Sequence, residues 1–177
     1  MNTMSDGRVI VGVANTVSGY QALRFAAAYA RGQGTPLVAV RAVPIKSAAD
    51  TWPETRRASF DAATKEILNA FTEALGLIPE GMAITMEVRS GPAAEVLLSV
   101  ATQPNDLIVI GGYDGRRRLP WRTGRTAQQC VRRAVCPVVA VPASELARQD
   151  ARHGLGRKVV QDVDEFLRET ERPGLPT

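Results

Sequence analysis

Glycines and arginines crowd residues 106–142 of this chain, DLIVIGGYDGRRRLPWRTGRTAQQCVRRAVCPVVAVP. An apolar run at 107–110 ends in Gly111 and Gly112. A loop containing Gly115 follows and is closed by Gly124, where a segment of helical apolar spacing begins with Arg125 and Thr126. A glycine loop entering a helix N-terminus is a phosphate-binding device: free backbone N–H groups point at the ligand, and the helix dipole favours negative charge. Between 111 and 135 seven arginines face one acid, Asp114, a local charge of +6. The whole chain carries +4, which leaves −2 for the remainder. The basic character therefore belongs to this loop and its helix, and is not spread over the surface.

Other chemistries are poorly supplied. Cys130 and Cys136 are the only cysteines, and their spacing matches neither a CxxC redox pair nor a zinc pattern. They read as buried, inert thiols. His153, the only histidine, stands in a polar stretch with no second ligand for a metal, so no metal site is expected. No histidine accompanies a serine or cysteine nucleophile, and there is no G-x-S-x-G elbow. The chain is therefore not expected to be an enzyme, and slow nucleotide hydrolysis would have no identifiable base. Asp106 reads as a structural strand start. The arginines offer the salt-dependent phosphate contacts a nucleic-acid binder uses. No aromatic platform or recognised DNA- or RNA-binding motif accompanies them, and Trp121 reads equally well as a packing anchor, so nucleic acid is not the expected partner. No apolar run approaches the roughly 18 residues of a membrane span. The N-terminus, MNTMSDGRVIVGV, lacks the features of a signal peptide. A cytoplasmic location is the expectation.

These residues need elements to position them. A chain of 177 residues suits one domain, and at 5% aromatic content its core must come mainly from Val, Leu, Ile and Ala. Residues 8–14 (RVIVGVA) read as a strand buried on both faces. A helix follows, with Ser18 and Gln21 at capping-box spacing and Ala22, Phe25, Ala26, Tyr29 and Ala30 on its apolar stripe, ended by Gly32, Gly34 and Pro36. Residues 37–43 are a second strand, 44–53 a loop, and 54–75 a long helix with Phe60, Ala63, Ile67, Phe71 and Leu75 on one side. Residues 84–88 alternate like a half-exposed strand near a sheet edge. A helix opening at Ser90-Gly91-Pro92 carries Ala93, Val96, Leu97, Val100 and Ala101. The last helix has its stripe at Ala127, Cys130, Val131, Ala134 and Val135, and leads to a fifth strand, 138–141. The order β-α-β-α-β-α-β-α-β, with near-continuous apolar strands, predicts an α/β fold: a doubly wound, five-stranded parallel sheet with helices on both faces. Its ligand crevice lies at the carboxyl ends of the strands, which places Ala14, Ala42 and Gly111 around it if strands one, two and four meet there. The domain is expected to span 1–142. A C-terminal extension, 143–177, comprises a polar linker and an amphipathic helix at 158–172, with Val159, Val163, Phe166 and Leu167 on one side. So short a helix needs a partner surface.

The segments VIVGVANTVSGYQALRFAAAYARGQGTPLVAVRAV, SGPAAEVLLSVA and DLIVIGG…GRTAQQCVRRAVCPVVAVP together resemble the universal stress protein family, UspA-like, over about residues 8–142. The resemblance implies an adenine nucleotide alpha-hydrolase-like fold with the strand order 3-2-1-4-5. It also implies a stress role, a homodimer paired through the last strand (Val138, Val139, Ala140, Val141), and ATP or another adenine nucleotide as ligand. Nucleotide-binding members carry an Asp after the first strand, hold adenine on the backbone past the second, and bind phosphates in a G-x2-G-x9-G-[S/T] loop. In this sequence Ala14 stands at the acidic position and Ala42 at the adenine position, where a backbone contact survives any side chain. Ungapped counting puts Gly111, Asp114, Gly124 and Arg125 on the loop pattern. Gly112 and Gly115 restore the first spacing but leave the next gap one residue short, and Thr126 falls one position late. Ala14 and Asp114 disfavour a nucleotide, and Arg125 favours one through a charged hydrogen bond to phosphate. The alternative is an interaction module of the same family that binds no nucleotide.

Overall fold

The computed structural model describes residues 7–112 and 124–143. Asp114, Gly115, Trp121, the loop arginines at 116–118 and 122, His153 and the predicted C-terminal helix lie outside the described residues. Nine α and β elements alternate: β1 (Val9–Gly12), α1 (Val17–Gln33), β2 (Leu37–Val43), α2 (Pro53–Leu75), β3 (Ile84–Ser90), α3 (Ala93–Val100), β4 (Leu107–Gly111), α4 (Arg125–Arg133) and β5 (Val138–Val141). A short 3-10 turn, Ala48–Thr51, interrupts the loop before α2.

The five strands form one sheet in the order β3-β2-β1-β4-β5. Every pairing is parallel, with Val9 opposite both Leu37 and Leu107, Leu37 opposite Ile84, and Ile108 opposite Val138. The central strands are apolar at successive positions because both of their faces are covered. Val9, Val11, Leu37, Ala39 and Val109 meet α1 and α2 through Leu23, Ala26, Ile67 and Phe71. Ile10, Val38, Val40, Ile108 and Ile110 meet α3 and α4 through Val96, Leu97, Ala127 and Cys130. Each such fully buried large apolar side chain contributes roughly 1.5–3 kcal/mol. β3, at one edge, is only partly buried along its length, as its alternating sequence predicts.

Several local expectations are corrected. The N-cap of α1 is Thr16, whose Oγ1 accepts the Gly19 N–H at 3.0 Å; Ser18 lies inside the first turn and is buried. A cap must have extended backbone, and Thr16 has it (φ −137°, ψ 158°). Phe25 and Tyr29 are exposed, stacked on each other at 6.0 Å between ring centres. The stripe of α1 that meets the sheet consists of small residues (Ala22, Ala26, Ala27, Ala30) with Leu23, which let the helix lie close. In α3 Ala94 is buried and Ala93 is exposed. In α4 Val131 and Val135 are exposed, leaving Ala127 and Cys130 as its buried contacts. β1 ends at Gly12, so Val13 and Ala14 already lead out of the sheet.

The amino edge of the sheet is tied by one carboxylate. Asp106, buried at 1% exposure, accepts the Arg8 N–H (3.0 Å), Nε (3.3 Å) and Nη2 (2.9 Å), and the N–H groups of Thr102 and Gln103 (both 3.1 Å). Arg8 Nη2 also donates to the Val100 carbonyl at 2.8 Å. Burial alone would push this carboxyl up. Hydrogen bonds from the Arg8 side chain, the Gln103 N–H and the Arg8 N–H, together with the Arg8 charge, outweigh burial and hold it below the usual carboxylate range. Asp106 is thus the structural strand start its position implied.

Candidate functional site

All four helices begin at the carboxyl edge of the sheet, and a cleft of about 200 Å³ opens among the N-termini of α1, α3 and α4. Ala14, Ala42 and Gly111, from the ends of the first, second and fourth strand segments, all line it. This is the switch point of the winding, since β1 leads outward to β2 on one side and β4 flanks it on the other. Val40, Leu97 and Ile110 form an apolar floor, and Gly12, Ala93, Gly112 and Thr126 complete much of the wall.

The approach of α1 to β4 shapes this wall. A Cβ built on Gly111 would lie 2.8 Å from the Gly19 nitrogen and 2.9 Å from Ser18 Oγ, so only glycine lets the first turn of α1 reach the strand end. Gly19 is required in turn by the Ala14 carbonyl, which an added Cβ would overlap. The same carbonyl accepts the Thr16 N–H at 2.9 Å and closes the turn between β1 and α1. Thr16 Oγ1 and Ser18 Oγ lie 3.3 Å apart on the cleft wall. The Gly112 N–H is committed to the Val141 carbonyl at 2.6 Å.

Opposite α1, the cap residue of α4 is Gly124, which has no side chain to bond the first turn, and that turn holds no acid. The orphan N–H groups of a helix's first turn need an acceptor, and Gln128 is the first whose N–H returns to the Gly124 carbonyl. Thr126 lines the cleft; Arg125, one position earlier, is exposed and Gly124 half-buried, and neither is part of the lining. The N-cap of α3, Pro92, likewise makes no side-chain cap bond. No carboxylate is among the described residues that line the cleft. With three helix N-termini around the cleft, the local field favours an anion.

Sequence reasoning missed Thr16, Ser18 and Arg41. Placing the cap at Ser18 removed Thr16 from view; the T-x-x-G spacing that fits Thr16 Oγ1 to the Gly19 N–H was the available signal. Arg41, within an apolar strand, gave no sign of its use. Its Nη1 donates to the Val13 carbonyl at 2.9 Å and its Nη2 pairs with Glu66 Oε2 at 2.5 Å, which pins the exit of β1 to α2 beside the cleft.

Two other features carry different chemistry. A hollow of about 220 Å³ beyond β2 and β3 includes Lys46, Asp50, Arg56 and Ser90. Its carboxylate is spent locally: the Lys46 and Ser47 N–H groups donate to Asp50 at 2.7 and 2.8 Å and lower its pKa. Cys130 and Cys136 are buried and unbridged, and burial pushes both thiols up, away from the reactive thiolate. Among the described residues no acidic, histidine or cysteine cluster fits a metal ion, and no helix is long and apolar enough to cross a membrane.

Comparison with known proteins agrees with this geometry. The family model of the universal stress protein family matches residues 7–142. A universal stress protein from Archaeoglobus fulgidus is similar in structure at a TM-score of 0.54, with 20% identity over 76% of this chain and 98% of its own. The universal stress protein UspA from Lactobacillus plantarum superposes at 0.58, with 21% identity over 78% and 99%. A universal stress protein solved in complex with cAMP superposes at 0.53, with 21% identity over 79% and 100%. No curated protein shows a significant sequence match. A parallel sheet in this order, a cleft at its switch point, and a family match over most of the chain lead to one conclusion: this chain belongs to the universal stress protein family.

Proposed function

We propose that the cleft binds an adenine nucleotide, ATP or a relative of it, and that the protein acts as a cytoplasmic, non-catalytic stress-response module. The observation that carries this reading is the glycine-capped N-terminus of α4, with Thr126 beside Gly111 and Gly112 in a cleft whose described lining holds no negative charge. Gly111, Gly112 and Thr126, which line the cleft, would border the phosphates, and Gly124 and Arg125 would approach them from the start of α4; Gly115 lies outside the described residues. The Ala42 backbone would meet the base, and Ala14 would flank the sugar without supplying a carboxylate. The apolar floor of Val40, Leu97 and Ile110 suits a flat ring. The cAMP-bound relative supports the ligand class. Calorimetry with ATP, ADP and AMP in the presence of magnesium tests the proposal. Binding that weakens from ATP to AMP is expected; absence of heat with all three, in protein shown to be folded, overturns it.

A second reading, an interaction module that binds no nucleotide, rests on β5. Val138, Val139 and Val141 are half-buried and Ala140 is exposed on a strand paired on one side only. Open strand edges are usually covered, and a second copy of the chain pairing β5 to β5 would cover this one. Sedimentation should give a dimer that Val139→Asp converts to a monomer; an unmodified protein that sediments as a monomer overturns the pairing.

A further inference from the structure

Phe25 and Tyr29 are two of only nine aromatic residues in the chain, yet they stand 40% and 42% exposed on α1, stacked on each other. Their flank can be placed. Arg24 Nε donates to the Ala74 carbonyl of α2 at 2.6 Å, so α2 lies on the Arg24 side of α1. At about 100° per residue, Phe25 and Tyr29 fall across the buried stripe from Arg24. The helix α2 packs over β2 and β3, so the aromatic flank of α1 looks toward β5. Val139, opposite Val109, shares the α1 face of the sheet and is only half-buried; Val141 packs on the α1–α2 core. An apolar trough therefore runs between α1 and the β5 side of the sheet.

The chain itself supplies an occupant. It leaves β5 at the carboxyl edge through Pro142 and the buried Ala143, with 34 residues still to come. Residues 158–172 place Val159, Val163, Phe166 and Leu167 on one helical face. As a helix they would extend about 22 Å, close to the roughly 25 Å of α1. The fourteen residues between Ala143 and Lys158 are ample to reach the trough. The other exposed apolar pair, Val131 and Val135, belongs to α4, whose nine residues span only about 13 Å.

We infer that residues 158–172 form a fifth helix seated in cis beside α1, with Val163 and Phe166 against Phe25 and Tyr29. Hydrogen exchange on the full-length protein tests this. Amides of 158–172 should exchange at least about tenfold more slowly than coil, independently of protein concentration. The double substitution Phe25→Asp/Tyr29→Asp should return them to coil rates while amides of β1 stay protected, and Phe166→Asp should do the same. Coil rates in the unmodified chain overturn the inference. So does protection that disappears on dilution, which would put the helix on a second subunit, or protection that survives Phe25→Asp/Tyr29→Asp, which would put it on another surface. Should β1 lose protection in the double variant, Phe166→Asp decides alone, because it alters no residue of the sheet or its four helices.

Discussion

At the amino edge of the sheet, Asp106 collects three donors from Arg8 and two from the Thr102–Gln103 turn, and is sealed from solvent. At the carboxyl edge the arrangement is reversed. The cap residues of α3 and α4 there, Pro92 and Gly124, make no side-chain cap bond, and the described lining of the cleft holds no carboxylate. One edge satisfies its charges internally and spends them on stability. The other leaves donors open beside an apolar floor, which is the condition for binding an anion. In a parallel sheet every helix presents its N-terminus to the same edge, so topology makes that edge electropositive before any particular side chain acts.

Substitutions at the two edges should therefore separate stability from binding. The largest effect is expected for Asp106→Ala, which leaves an arginine and two N–H groups without their acceptor. We expect a loss of about 3 kcal/mol, the lower end for a broken buried pair because Arg8 keeps a third of its side chain in solvent. Urea unfolding measures this. The effect is also pH-dependent. The folded Asp106 pKa lies below its unfolded value, so the contribution is complete above the ordinary carboxylate pKa of about 3.9 and fades as pH falls through the folded value. Asp106→Asn should flatten that acid limb of stability; an unchanged limb would assign it to other carboxylates.

Gly111→Ala should have the next largest effect, and should strike both properties. Its Cβ would press on Ser18 and Gly19, at a cost of about 1–3 kcal/mol in thermal or urea unfolding. It should also displace α1 from the cleft and weaken nucleotide binding. Thr126→Ala should be the smallest. Removing one hydroxyl at the mouth of α4 should reduce nucleotide affinity by less than about tenfold, with Tm unchanged. A large drop in Tm for Thr126→Ala would erase the contrast between the edges.

Much of this was legible in the chain. The runs at 9–11 and 107–110 are apolar at successive positions, which only a strand covered on both faces requires, and they proved to be the buried centre of the sheet. The glycine pair at the end of β4 marked one wall of the cleft. The stripe of α1 was less legible. Phe25 and Tyr29 lie at helical spacing with the buried alanines, and periodicity cannot distinguish a residue at the stripe's centre from one on its flank. Val131 and Val135 misled for the same reason. Ser18 looked like a cap because its side chain is a good acceptor, but capping depends on where the backbone turns, and it turns at Thr16.

The order of apolar and polar residues determined by itself that this protein would build a covered parallel sheet with its crevice at one edge. Strand and helix periods are local properties, and the handedness of β-α-β connections leaves few arrangements for them. Only the tertiary structure decided which groups share that crevice. Thr16 and Arg41 are far apart along the chain, and nothing in their spacing records that α1 begins beside the end of β2. Tertiary packing also chose which apolar residues would be buried, because a helix presents a face wider than the surface it meets, and the residues left at its margin are available to whatever covers them next.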